Sequence, residues 1–158
     1  MAKILIVYAS RHGTTEKAVA IIRESLGQAE VCDLKKGKCP ALENFDRIII
    51  GGSIHAGRIQ KEIKHFCRKN MPILLKKEIA LFICCMYDGQ KAEEQFNQAF
   101  PEGLRKAARV KGIFGGELLF EKMNFLERTI IKKFIGVKES VSRFNPEEIR
   151  AFASRLGG

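Results

Sequence analysis

Ser10, Arg11, His12, Gly13, Thr14 and Thr15 make one turn of three hydroxyls, a guanidinium, an imidazole and a single glycine. An apolar run precedes it and a segment of helical periodicity follows. Such a turn gathers hydroxyls and free main-chain N–H groups at the positive end of a helix dipole, where an anion is held. A nucleoside triphosphate loop requires Gly-x-x-x-x-Gly-Lys-Ser/Thr, and no lysine stands where it would reach terminal phosphates. A dinucleotide turn requires Gly-x-Gly-x-x-Gly, which this turn lacks. Hydroxyls grouped around one glycine suit a terminal phosphomonoester, whose oxygens each accept several hydrogen bonds, with Arg11 adding charge at the rim. The competing reading is an ordinary capped helix, since Ser and Thr are common caps.

The elements that must position this turn flank it. Ile4, Leu5, Ile6 and Val7 form a continuous run, as in a strand buried on both faces of a parallel sheet. Ala18, Ile21, Ile22 and Leu26 recur at helical spacing. Further strands are expected at Glu30–Leu34, Arg47–Gly52, Ile79–Cys85 and Val110–Phe120, the last interrupted by Gly115 and Gly116. Helical stripes fall on Ile59, Ile63, Phe66 and Cys67, around Ala92 to Phe100, and in two closing segments. The second of these has Asn145 to cap, Pro146 at the first position and Glu148 for a capping box, with Ile149, Phe152, Ala153 and Leu156 facing inward. This alternation predicts one α/β domain over residues 1–158: a doubly wound, five-stranded parallel sheet in the order 2-1-3-4-5 with helices on both faces.

In that architecture the ligand lies at the carboxyl ends of the strands, beside the switch point between strands 1 and 3. The turn after strand 1 is then joined by Ser53, Ile54, His55 and Ala56 after strand 3, and by Cys84, Cys85, Met86 and Tyr87 after strand 4. For His55 a solvated loop position is preferred over a general base, although its ordinary pKa suits proton transfer. Tyr87 suits either a half-exposed turn or stacking on a ligand. Cys84 and Cys85 read as small buried residues without catalytic chemistry. A phospho-accepting regulator, which shares the strand order, would need acids where Ser10, Arg11 and Gly51 to Ser53 stand.

The 158 residues are 46% apolar and 29% charged, which excludes disorder. The net charge is +10, with +5 in residues 1–100 and +5 in residues 101–158, so the chain favours anionic partners without carrying a basic tail. No lysine run exceeds two and no groove-reading motif occurs, so no specific nucleic acid is expected. Met1, Ala2 and Lys3 leave no room for a signal peptide before the first strand, and the longest apolar stretches fall short of the roughly 20 residues that span a bilayer. Five cysteines without a Cys-x-x-Cys pair or metal-ligand spacing fit reduced thiols in a cytoplasm.

The segment Ile6–Ile22 resembles the flavodoxin signature, with Tyr8, Ser10, Gly13, Thr15 and Ile22 at matching places and Val19 where alanine is usual. The resemblance implies that the turn holds the phosphate of FMN and that the loops after strands 3 and 4 hold the isoalloxazine ring. Residues 51–66 and the stretch from Gly115 through Phe134 to the end are similar in pattern to the menaquinone-dependent protoporphyrinogen oxidase group. That resemblance implies oxidation of a porphyrinogen substrate through FMN, with a quinone as acceptor and peripheral contact with an anionic membrane at the inner face of the cell membrane. It departs from the group in residues 87–109, which are shorter and mixed in charge where the group carries a longer basic insertion. The rival is an electron-transfer module docking on a redox-partner protein, though such carriers are usually acidic. Cationic surroundings favour reduced, anionic flavin and so a raised potential.

From Phe120 to Phe134, Met123, Leu126, Ile130 and Phe134 make a stripe broadened by Phe125 and Ile131, with Arg128, Lys132, Lys133 and Lys138 nearby. A helix covering the sheet is preferred here. The alternative is a helix resting on anionic lipid.

Overall fold

A computed structural model of the chain describes residues 2–134 and 140–157. Strand β1 (Ile4–Tyr8) lies inside the sheet, and Leu5, Ile6 and Val7 expose nothing. It pairs in parallel with β2 (Glu30–Asp33) on one side and β3 (Arg47–His55) on the other. Beyond β3 come β5 (Glu78–Cys85) and β6 (Ala108–Gly115), giving the order β2-β1-β3-β5-β6. Setting aside β4 (Arg58–Ile59), a two-residue strand antiparallel to β3, this is the order 2-1-3-4-5.

Because alternate residues of a strand face opposite sides, the sheet carries two cores. Leu5, Val7, Ile48, Ile50, Leu81 and Ile83 face α2 (Lys61–Lys69), α3 (Met71–Leu74), α4 (Gly89–Ala99) and α5 (Glu102–Ala107). Ile6, Ile49, Phe82 and Phe114 face α1 (Thr14–Leu26) and α7 (Pro146–Gly157). The centre of this second core is aromatic. Phe152 meets Phe114 edge to face at 5.3 Å, and Phe114 stacks on Phe82 at 5.1 Å. Gly51 makes room for it, since a Cβ there would stand 2.1 Å from the Phe82 ring.

Several boundaries differ from the sequence reading. β3 continues past Gly52 to His55, then turns through Ala56 (φ 50°) and Gly57 (φ 79°) into β4. Two central residues with positive φ mark a tight hairpin turn, so Ile59 belongs to a strand and the helix starts at Lys61. On α1 the buried face is Thr14, Thr15, Ala18, Val19 and Ile22, while Ile21 and Leu26 are only partly covered. The run Val110–Phe120 is not one strand. β6 ends at Gly115, and β7 (Glu117–Leu118) pairs antiparallel with β8 (Val141–Ser142) in a separate ribbon. The Asn145 cap accepts from the Glu147 N–H at 3.0 Å, two residues on.

Two of the five cysteines also depart from expectation. Cys32 and Cys39 are paired as a disulfide, while Cys67, Cys84 and Cys85 are free and buried. The chain turns back after β2, where the Lys35 and Lys36 N–H groups both bond to Asp33, and this brings Cys39 beside the strand end. Seven residues of separation gave no recognised spacing for such a pair.

Candidate functional site

The turn between β1 and α1 is built around Gly13, the N-cap of α1, whose φ of 94° favours glycine and which offers no side-chain cap. The first-turn N–H groups of α1 have no partner within the helix and no capping side chain competes for them. Ser10 Oγ accepts the Gly13 N–H at 3.0 Å, which leaves the hydroxyl proton to donate. Thr15 is fully buried, and its Oγ1 has no hydrogen-bond partner among the described residues. The neighbouring Cys84 thiol is too weak a donor and acceptor to spend that oxygen's capacity. An orphaned hydroxyl at an open helix start is what a phosphate oxygen would satisfy.

The remaining donors of the turn are engaged by carboxylates from the last third of the chain. Arg11 Nε and His12 Nε2 meet Glu127 Oε2 at 2.8 and 2.9 Å. Thr14 Oγ1 donates to Glu117 at 3.0 Å, and Lys17 Nζ and Ser142 Oγ reach the same carboxylate at 2.9 and 3.0 Å. Partial burial would raise the Glu127 carboxyl, but hydrogen bonds from Arg11, His12 and the Asn124 N–H hold it down to about 2. Glu117 is lowered for the same kind of reason: burial opposes it, and Lys17, Thr14 and Ser142 prevail. Lys122 Nζ comes to 3.3 Å from the His12 carbonyl and adds a cation over the turn.

Sequence reasoning missed Glu117, Lys122 and Glu127. One local signal existed: Asn124 and Glu127 form a reciprocal cap, the Glu127 N–H donating to Asn124 Oδ1 at 2.8 Å and the Asn124 N–H to Glu127 Oε1 at 3.4 Å. It marks the start of α6 (Phe125–Phe134) but says nothing of Arg11, 116 residues away.

Beside the turn lies a cleft lined by His12, Thr14, Ser53, Ile54, His55, Cys84, Cys85 and Met86, closed by Gly116, Glu117 and Leu118. All three loops expected at the ligand thus contribute to it. Ala56 stands outside, exposed at the tip of the β3–β4 turn. Tyr87 is not part of the lining; Lys91 Nζ sits 4.2 Å from its ring centroid, a cation–π contact that holds the ring on α4.

His55 is not the solvated loop residue that its position implied. Ser53 Oγ lies 3.0 Å from its Nε2, and its ring meets that of His12 edge to face at 5.7 Å. Burial, then His12 and Arg11, lower its pKa to about 4. Cys84 and Cys85 are buried thiols: burial pushes Cys84 up to about 12 and raises Cys85, whose S–H donates to the Tyr87 carbonyl at 3.3 Å. The Met86 carbonyl is held by Arg143 Nη1 at 2.7 Å. Among the described residues no cluster of His, Cys, Asp and Glu could hold a metal ion.

α6 overturns the expectation of a sheet-covering helix. Met123, just ahead of the helix, is buried, but within the stripe Phe125 is 85% exposed, Leu126 66% and Ile130 37%. The helix is fastened by polar contacts instead, through Glu127 on the turn and Arg128 Nε donating to the Phe120 carbonyl at 2.7 Å. The Phe134 side chain and Lys138 lie outside the described residues. No helix among those residues is long and apolar enough to cross a membrane.

Comparison with known proteins gives a consistent answer. The Protoporphyrinogen IX dehydrogenase [quinone] of Escherichia coli (strain K12) is 31% identical over 72 residues, covering 43% of this chain and 40% of that protein's length. A protein of the same name from Leishmania major is 21% identical over 146 residues, covering 85% of this chain and 63% of the relative. The chain therefore spans less than two thirds of these relatives. Among solved structures, Fusobacterium nucleatum flavodoxin bound to flavin mononucleotide superposes with a TM-score of 0.54 at 15% identity, over 99% of this chain and 97% of that one. A family model for the flavodoxin domain matches residues 5–143, and with the strand order and the turn after β1 in place, the chain belongs to the flavodoxin-domain family.

Proposed function

We propose that this protein is an FMN-dependent oxidoreductase that takes reducing equivalents from protoporphyrinogen IX and delivers them to a quinone. The observation that carries the cofactor is the buried Thr15 Oγ1, with no partner stronger than the Cys84 thiol, at the uncapped start of α1, beside a cleft formed by the loops after β1, β3 and β5. FMN, when bound, supplies the acceptance and onward delivery of the reducing equivalents. The protein's own part is to hold and orient. Ser10, Thr15 and the first-turn amides of α1 would take the phosphate, while Ser53, Ile54, His55 and Met86 would border the ring. The porphyrinogen donor follows from the relatives' activity, and a net charge of +10 suits its propionates.

Purified protein saturated with FMN is expected to lose its visible flavin absorbance on anaerobic mixing with protoporphyrinogen IX, with porphyrin fluorescence appearing in step and menaquinone restoring the flavin colour. A colourless preparation that takes up no FMN would remove the cofactor; a flavin left unbleached would remove the donor. The rival, an electron-transfer module without its own substrate, predicts no bleaching and a stable flavin semiquinone on stepwise reduction.

The exposed Phe125 and Leu126, flanked by Arg128, Lys132 and Lys133, favour a second partner, an anionic lipid surface. The protein is expected to sediment with phosphatidylserine-containing vesicles, and much less with neutral ones. A Phe125→Ser/Leu126→Ser variant that sediments equally well would refute this attachment.

A further inference from the structure

Ser53, His55 and Gln60 form a chain of hydrogen bonds whose polarity can be worked out from one end. The Ser53 main-chain N–H can only donate, so the Gln60 atom 3.0 Å from it is the carbonyl oxygen. The Gln60 amide nitrogen is therefore turned toward Ser53 Oγ, to which it donates at 2.8 Å. The Ser53 proton then goes to His55 Nε2 at 3.0 Å. Were Nε2 the donor instead, this buried hydroxyl would be left without an acceptor among the described residues. An uncharged imidazole that accepts at Nε2 carries its hydrogen on Nδ1. The surroundings act in the same direction: burial first, then His12, Arg11 and, least, Lys35, outweigh the Glu127 carboxylate and disfavour the charged ring. Edge-to-face contact with His12 at 5.7 Å restricts the ring plane.

We propose that His55 is an uncharged hydrogen-bond donor of fixed tautomer, offering Nδ1–H to an acceptor on the edge of the flat heteroaromatic ligand in the cleft, with Ser53 and Gln60 as positioning residues behind it. The identity of that ligand rests on the FMN reading; the tautomer does not. A donor of this kind keeps its hydrogen and its neutrality across the physiological pH range. His55 is thus a binding group rather than the base that a loop histidine of ordinary pKa would supply.

Long-range proton–nitrogen correlation spectra of the full-length, nitrogen-15-labelled protein without flavin would read the tautomer directly. The Nδ1–H pattern is expected for His55 at pH 7 and unchanged down to pH 5, and Ser53→Ala is expected to release a mixture of tautomers. An Nε2–H pattern, protonation between pH 6 and 7, or a Ser53→Ala spectrum identical to the parent would overturn the assignment. Ligand contact is read by FMN affinity. His55→Phe is expected to weaken binding about tenfold, and His55→Asn, which keeps an N–H donor, to recover most of it. Equal affinity in the parent and His55→Phe would overturn the contact with the cofactor reading intact. No FMN uptake by any form would overturn the cofactor reading and this contact together, while the spectra still decide the tautomer.

Discussion

Thr15→Val is expected to weaken FMN binding by roughly 10- to 150-fold, the equivalent of about 1.5–3 kcal/mol for one hydrogen bond to a charged group. The substitution is nearly isosteric at a position with no exposed surface, so it deletes one oxygen and little else. Among the described residues that oxygen has no partner stronger than the neighbouring Cys84 thiol, so its loss takes little from the fold. Thermal stability without ligand should therefore hold or rise while affinity falls. Quenching of flavin fluorescence on titration gives Kd, and a melt of the apoprotein gives the other half. An unchanged Kd would mean that the phosphate is held elsewhere. A lower melting temperature would mean that the hydroxyl serves the fold.

The second large effect is structural. Phe152→Ala is expected to cost about 3–5 kcal/mol, because it empties the space beside Phe82 and Phe114 at the centre of the α1/α7 face. A domain of this kind has about 5–15 kcal/mol in all, so a large part of its stability is at stake. Urea denaturation followed by circular dichroism measures the loss. Phe125→Ala supplies the contrast, with the same residue type 85% exposed on α6 and an expected change within about 0.5 kcal/mol. If the two variants melted alike, the packing described for the aromatic cluster would be wrong.

The arrangement of the sheet was legible because it depends on local patterns. Runs such as Ile4 to Val7 and Ile79 to Cys85 fit strands buried on both faces, and the turn residues between them leave few other topologies. The break between β1 and α1 was legible for a related reason, since the change from apolar run to helical spacing falls within the few residues around Ser10 to Thr15. What escaped were pairings across long separations. Glu117 and Glu127 reach the turn from 103 and 116 residues away, and nothing in their neighbourhoods marks them as its partners. Gln60 was overlooked because its meaning comes from the β3–β4 hairpin, which folds it back onto Ser53. α6 misled because an apolar stripe records that a face avoids water without recording what covers it. Its polar contacts with the turn seat it at the sheet's end, with Phe125 and Leu126 uncovered.

The crossing of Glu117 and Glu127 onto the first turn also bears on when the site comes into being. Residues separated by more than a hundred positions meet only after the intervening chain has been ordered, and the loop-closure entropy of that meeting must first be met. A nascent chain that has only its first βα unit outside the ribosome has the turn without its roof. Under the proposed cofactor reading, capture would belong to the end of folding, with the ligand stabilising a finished architecture instead of seeding it.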